Sequence, residues 1–393
     1  PGDSDYLRGA ELGRLERKMT ALPILQTRWL AILCLTGLLA IGGCAVGPDY
    51  QEPAIDTPDA WHQELVRGLS AGDAGLDTWW TVLEDPMLVG LIDRAGQGSR
   101  ELRQAFERIA EAMARRGIAV GEWFPTVDSA TLYERSQLSE EVFGPLGGDP
   151  RSIYSTGLGT TWEVDLFGRI RRSVESADAE LAASVEDYRD ILVVLYAEVA
   201  ANYIDVRTLQ HRILSAERNV AAQKDTLELV RVRNRVGLVG ELDLRQAELN
   251  VSRTASTIPA LREALAAAVN RTAVLLGEYP SQLHTELREP APIPRPEAEV
   301  AVGLPTELLR QRPDLRAAER QLAAQSARIG VATADLYPRL ALLGSFSFDA
   351  VSTASWFTSG AQASNIGPQL RWNLFDGGRI RSNVRAHEAL TRQ

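Results

Sequence analysis

Apolar and polar positions alternate with a period of two along three stretches of the chain. From 154 to 166 the even positions are Tyr154, Thr156, Leu158, Thr160, Trp162, Val164 and Leu166, and the odd ones are Ser155, Gly157, Gly159, Thr161, Glu163 and Asp165. Leu340, Leu342, Gly344, Phe346 and Phe348 alternate with Arg339, Ala341, Leu343, Ser345 and Ser347. Ile366, Pro368, Leu370, Trp372 and Leu374 alternate with Asn365, Gly367, Gln369, Arg371 and Asn373. A fourth stretch, about 125–136, alternates poorly. Period two with one apolar face predicts strands, here at about 125–136, 153–167, 338–348 and 363–375.

Elsewhere apolar positions step by three and four. Ile170–Arg235 contains no proline and predicts one helix of about 99 Å at 1.5 Å per residue. Val185, Tyr188, Leu192, Leu195 and Val199, then Val206, Leu209, Ile213, Ala216 and Val220, give it a heptad-like apolar seam. Gly237-Leu238-Val239-Gly240 predicts a reversal. Glu241–Leu276 predicts a second helix, kinked at Pro259. Shorter helices are expected at about Asp93–Gly121 and Leu315–Ala334, each region closed by Pro125 or Pro338.

These parts come twice. Leu102-Arg103-Gln104-Ala105 recurs as Leu315-Arg316-Ala317-Ala318, Ile118-Ala119 as Val331-Ala332, and Phe124-Pro125-Thr126-Val127 as Tyr337-Pro338-Arg339-Leu340. Leu166-Phe167-Gly168-Arg169-Ile170-Arg171 returns within Leu374–Arg381. Four matches in the same order mark an internal duplication: helix, strand, polar loop, strand, long helix.

The strands suit either a soluble half-buried sheet or a transmembrane barrel. Trp123, Phe124, Tyr154, Trp162, Phe167, Tyr337, Trp356, Phe357, Trp372 and Phe375 lie in or beside them. Aromatics at strand ends match the girdles of outer-membrane barrels. Tyr154, Leu158, Trp162, Val164, Leu342, Phe346, Leu370 and Trp372 are then expected to face lipid, with Gly157, Gly159 and Gly367 toward a wet lumen. Lipid tolerates no open sheet edge and four strands cannot close, so the barrel must be shared between copies. The expected fold is an α+β membrane protein: a barrel with four strands from each protomer, plus long helices of heptad-like spacing. A soluble coiled coil is the alternative for 170–276 taken alone.

Composition narrows the function. Charged residues make up 24% of the chain and the formal charge is −10, without a basic block. Nucleic acid is thereby excluded as the main partner. Cys34 and Cys44 are the two cysteines, and His62, His211, His284 and His387 are isolated. No nucleophile-elbow, phosphate-loop, zinc-protease or Cys-x-x-Cys motif occurs. No enzyme, metal or cofactor is expected.

The N-terminus reads as an address. Gly2–Lys18 is mixed in charge, and Met19 is the expected start. Arg28 precedes the apolar run Trp29–Ala40, too short to span a bilayer and of signal-peptide length. Ile41-Gly42-Gly43-Cys44 resembles a bacterial lipobox, which makes Cys44 the expected lipidation site. Ala45 suits outer-membrane sorting. An ordinary secretory signal is the alternative. Residues 44–75, rich in Pro, Gly and Asp, predict an extended tether without helical or strand period.

The chain resembles TolC-like outer-membrane factors of tripartite efflux pumps, in their lipidated OprM/NodT-type branch. The likeness rests on Cys44-Ala45-Val46-Gly47-Pro48-Asp49-Tyr50, Trp79-Trp80, Asp85-Pro86-Met87-Leu88, Glu163–Arg169, Arg235–Asp243, Val274–Gly277, Gly303-Leu304-Pro305, Arg312–Arg316 and Trp372–Gly378. It spans essentially 44–393. It implies a homotrimer, a twelve-stranded barrel in the outer membrane, an α-helical tunnel through the periplasm and a helical collar. It further implies that the turn carrying Gly237, Leu238, Gly240, Leu242 and Asp243 docks on a periplasmic adaptor (membrane fusion) protein of an inner-membrane efflux pump. The expected function is a passive exit channel. The alternative is a non-transporting periplasmic coiled-coil scaffold lipoprotein.

The expected organisation is a leader and signal peptide (1–43), a lipidated tether (44–75), a first repeat (76–277), a Pro-rich linker (278–302) and a second repeat (303–393). By analogy with the first, the second repeat would end about 94 residues beyond Gln393. The chain therefore reads as C-terminally truncated.

Overall fold

The computed structural model describes residues 45–54, 61–62, 64, 69–71, 76–296, 300–302 and 305–393. The leader, the apolar run Trp29–Ala40 and Cys44 lie outside them.

Strand β1 (Leu69–Ala71) is followed by helix α1 (Pro86–Gly98). Asp85 caps α1, its Oδ1 accepting from the backbone N–H of Met87 at 2.8 Å and of Leu88 at 3.1 Å. Pro86 fits the first turn because its missing N–H has no partner to lose there. Helix α2 (Arg100–Gly121) begins after Ser99. One helix was expected from Asp93 to Gly121; two form. A Cβ on Gly98 would lie 2.3 Å from the Leu276 carbonyl oxygen, and one on Gly277, at φ +71°, would lie 2.2 Å from the Gly98 oxygen. Two backbones touch at this point, and the helix gives way.

Strands β2 (Thr126–Ser136) and β3 (Arg151–Val164) lead into α3 (Arg169–Arg235), an unbroken helix of 67 residues. Helices α4 (Glu241–Ala255) and α5 (Thr257–Leu276) replace the single kinked helix. Their break at Ser256 falls before Pro259, whose ring and missing N–H disturb the Ala255 carbonyl four residues back. The linker region holds α6 (Pro280–Glu286), again with Pro at its first turn, and β4 (Val300–Val302). β4 pairs in parallel with β1. The stretch read as an extended tether without strand period therefore includes a strand, too short for an alternating pattern to reveal. Helices α7 (Pro305–Gln311) and α8 (Pro313–Ala334), strands β5 (Arg339–Ala350) and β6 (Gln362–Arg371), and α9 (Arg379–Arg392) complete the chain.

The residues divide into two compact units. Of the described residues, the sheet unit takes those within 45–51, 115–179 and 322–393, and the helical unit those within 52–114 and 180–321. In the sheet unit the order is β2-β3-β5-β6, antiparallel throughout. β2 is fully in register with β3 from Thr126 to Ser136 despite its weak alternation. The central pairing, β3 with β5, joins the two repeats.

The helical unit holds an apolar core. Leu88, Leu91 and Ile92 of α1, Leu195, Val199, Tyr203 and Val206 of α3, and Val269, Ala273 and Leu276 of α5 are buried together. Trp79, Trp80 and Tyr196 pack on it edge to face. Each large side chain fully buried contributes about 1.5–3 kcal/mol, so this cluster dominates the unit's stability.

Candidate functional site

The sheet separates two chemistries. On one face the register places Val127 and Tyr133 of β2; Tyr154, Leu158, Trp162 and Val164 of β3; Leu342 and Phe346 of β5; and Ile366 and Leu370 of β6. The other face carries Asp128, Ser155, Gly157, Gly159, Glu163, Ser345, Ser347, Asn365, Gly367 and Gln369. Seven of the eight residues expected to face lipid thus share the apolar face. The eighth, Trp372, lies one residue past the end of β6, which stops earlier than the 375 expected.

Many apolar-face side chains are open to their surroundings: Leu158 is 54% exposed, Leu370 63% and Ile366 91%. The hydroxyls of Thr131, Thr156 and Thr160 on that face are bonded within the sheet. Thr131 and Thr156 pair across strands at 2.8 Å, and Thr160 donates to the Thr126 carbonyl at 2.8 Å. On the polar face Asp349 accepts from Ser155 at 2.5 Å and Ser347 at 2.8 Å.

All four helical connections leave the sheet at one end: α2 enters β2, β3 exits to α3, α8 enters β5, and β6 exits to α9. The other end carries the two loops, 137–150 and 351–361. Aromatics gather at both. At the loop end Tyr133, Tyr154, Trp356, Phe357 and Phe348 form a chain of ring contacts between 4.9 and 5.6 Å. At the helix end Phe167 stacks on Tyr337 at 4.7 Å. There Trp162 Nε1 donates to the Trp123 carbonyl at 2.9 Å, and Trp372 Nε1 to the Leu336 carbonyl at 3.1 Å. These two bonds are the same device in each repeat: an indole caps a carbonyl where helix turns into strand. Tyr154 and Trp162 stand eight residues apart, about 27 Å along the strand, against an apolar band of about 25 Å in outer-membrane barrels.

In the helical unit the α3–α4 turn presents the other expected site. Gly237 takes φ +73°, a left-handed conformation that favours glycine. Asn234 Nδ2 donates to the Val239 carbonyl at 3.0 Å, and Asp243 Oδ2 accepts the Gly240 N–H at 3.1 Å. Asp243 is therefore committed to the turn's own backbone. Leu238 and Leu242 stand out at 73% and 80% exposure, with Val236 beside them at 65%. The turn is held by its own hydrogen bonds and carries its apolar side chains in the open.

Sequence reading missed a buried polar network in the same unit. Tyr203, fully buried, donates to Asp85 at 2.7 Å and accepts from Arg207 Nε at 3.0 Å. Arg207 reaches the Glu289 carbonyl at 2.9 Å, and Gln210 the Leu287 carbonyl at 2.6 Å. Burial pushes the Tyr203 hydroxyl up to about 12, with the bond to Asp85 adding to the shift. Spacing could flag Tyr203 as an apolar step, but the network's bonds to Asp85, Glu289 and Leu287 span 77 to 118 residues. Among the described residues no group of His, Cys, Asp or Glu could hold a metal ion, and no helix is long and apolar enough to cross a membrane.

Comparison with known proteins gives this arrangement a context. The model of the outer membrane efflux protein family matches residues 91–278 and 304–392. Nodulation protein T of Rhizobium leguminosarum bv. trifolii is 32% identical over 351 residues, covering 88% of this chain and 73% of the relative. The toluene efflux pump outer membrane protein TtgI of Pseudomonas putida is 32% identical over 359 residues, 90% of this chain and 75% of the relative. A solved structure of the outer-membrane channel OprN superposes with a TM-score of 0.81 at 36% identity, over 89% of this chain and 78% of that one. The chain therefore belongs to the outer membrane efflux protein family, a family of outer-membrane efflux channels and not of enzymes.

Proposed function

We propose that the protein is the outer-membrane exit duct of a tripartite efflux system. The observation that carries this reading is the two-faced sheet, apolar on one side and polar on the other, with all four long helical connections at one end. In outer-membrane barrels such faces meet lipid and lumen. Strands β2 and β6 each have an unpaired edge in the single chain, and lipid forbids one. A homotrimer joins β6 of one copy to β2 of the next and closes twelve strands, wide enough for a channel. Tyr154, Leu158, Trp162, Val164, Leu342, Phe346, Leu370 and Trp372 then meet lipid. A lipid on Cys44 adds a second hold on the membrane. The apolar turn at Leu238 and Leu242 docks on a periplasmic adaptor, through which an inner-membrane pump supplies the driving force. The duct itself needs no cofactor and no catalytic group.

The test is the full-length protein extracted from outer membranes in detergent. Light scattering is expected to return a trimer that conducts in a planar bilayer. A monomer without conductance would sink the proposal.

A further inference from the structure

The residues directly after Cys44 are held to the sheet unit by contacts their composition does not suggest. The Val46 N–H donates to the Phe167 carbonyl at 3.0 Å. Arg172, near the start of α3, donates through Nε to the Val46 carbonyl at 3.2 Å. Its Nη2 reaches the Gly47 carbonyl at 3.4 Å and Asp49 Oδ1 at 2.6 Å, and its Nη1 reaches Glu175 at 2.8 Å. Arg172 is only 4% exposed, and burying a guanidinium is costly unless its donors are matched. Here two carboxylates and two backbone carbonyls match them. The fork geometry lets one side chain hold three residues of a passing strand of chain.

Shape supports the same docking. A Cβ on Gly47, at φ +91°, would lie 2.4 Å from Gly330 Cα, and one on Gly168 would lie 2.5 Å from Ala45 Cα. The segment thus meets α8 of the second repeat and the β3–α3 corner of the first, both backbone to backbone. The place is the helix end of the sheet, beside the stacked Phe167 and Tyr337.

We infer that Arg172 is a positioning residue for the membrane anchor. It fixes Ala45–Asp49 at the strand–helix junction, so that an acyl group on Cys44 enters lipid next to the aromatic belt at the helix end of the sheet. The inference rests on the reading of Cys44 as acylated. A flexible leash of six residues would let the lipid roam over about 13 Å. The docked segment removes that freedom and makes the anchor part of the wall.

The experiment places a nitroxide on Gln51→Cys in the full-length protein, reconstituted in phospholipid vesicles, and records its mobility and its collisions with oxygen and with a water-soluble nickel chelate. The N-terminal peptide is weighed in parallel. The expected result is a slow label in the parent and one several-fold faster in Arg172→Ala. In that variant nickel accessibility rises toward that of a free tail. Arg172→Lys, which keeps charge but loses the fork, and Asp49→Asn, which keeps the acceptor but removes its charge, are expected to fall between. Identical mobility in the parent and in assembled Arg172→Ala overturns the inference. If Arg172→Ala does not assemble, unchanged mobility in both milder variants overturns it equally. A peptide without acyl mass refutes the anchor reading and with it this role for Arg172, while the label mobility still reports whether the segment is docked.

Discussion

Tyr203 is the residue on which the helical unit's polar core turns. Its hydroxyl links Asp85, which caps α1, to Arg207, which holds the Glu289 carbonyl. Tyr203→Phe keeps the ring and leaves Asp85 and Arg207 each one partner short. A loss of about 1–3 kcal/mol is expected, read as a lowered melting temperature of the helical signal in detergent. Arg94 acts similarly on the surface, joining Glu278 and, at 2.7 Å, Glu286. The bond to Arg94 holds the Glu286 carboxyl below the usual glutamate range. A depressed carboxylate stabilises the folded state above its unfolded pKa, and the contribution is lost as pH falls through the folded one. Amide exchange in α6, corrected for intrinsic rate, should therefore accelerate as pH drops below about 4. Glu286→Gln should remove that dependence. At this scale the seam residues Leu195, Val199, Val206 and Val220 were legible, and they are buried. Arg172, Arg207 and Gln210 were not. A buried polar residue is justified by partners, and spacing along one helix says nothing of partners in distant segments.

Elements show the same division. The alternating stretches named the apolar face of the sheet correctly because side-chain parity is a local property of a strand. On that face Leu158→Arg is expected to cost about 2–4 kcal/mol of barrel stability. Ser345→Arg, on the polar face, should cost little. Comparing urea midpoints of the two variants in lipid vesicles checks this, and equal losses would contradict the lipid-facing assignment. Helix ends were less legible. The split at Ser99 depends on a meeting of Gly98 with Gly277, nearly two hundred residues apart. Gly277→Ala should destabilise strongly, because it adds a backbone clash to a left-handed φ that costs about 1 kcal/mol by itself. Heat resistance of the purified assembly reads it. Strand β1 was invisible beforehand, since three residues carry no period and its partner β4 is remote.

For the whole molecule, the exposed turn is the proposed contact with the periplasmic adaptor. Leu238→Asp combined with Leu242→Asp is expected to abolish efflux, measured as substrate accumulation in cells, while leaving outer-membrane assembly and single-channel conductance unchanged. Normal efflux by the double variant would exclude this turn as the adaptor contact. The substitutions should not affect folding, because both side chains are already in water in the single chain.

The sequence by itself determined the period of the long helices and of three of the four sheet strands, the duplication and the sidedness of those strands. These follow from local spacing and from the chemistry of single residues, and the family membership agrees with them. Only the tertiary structure decided which segments touch. It placed the β3–β5 seam between the repeats, the glycine contact that splits α1 from α2, the buried Tyr203–Arg207 network, and the clamp of Arg172 on the residues after Cys44. Each depends on groups far apart in the chain, whose burial is tolerated only when the partner is present.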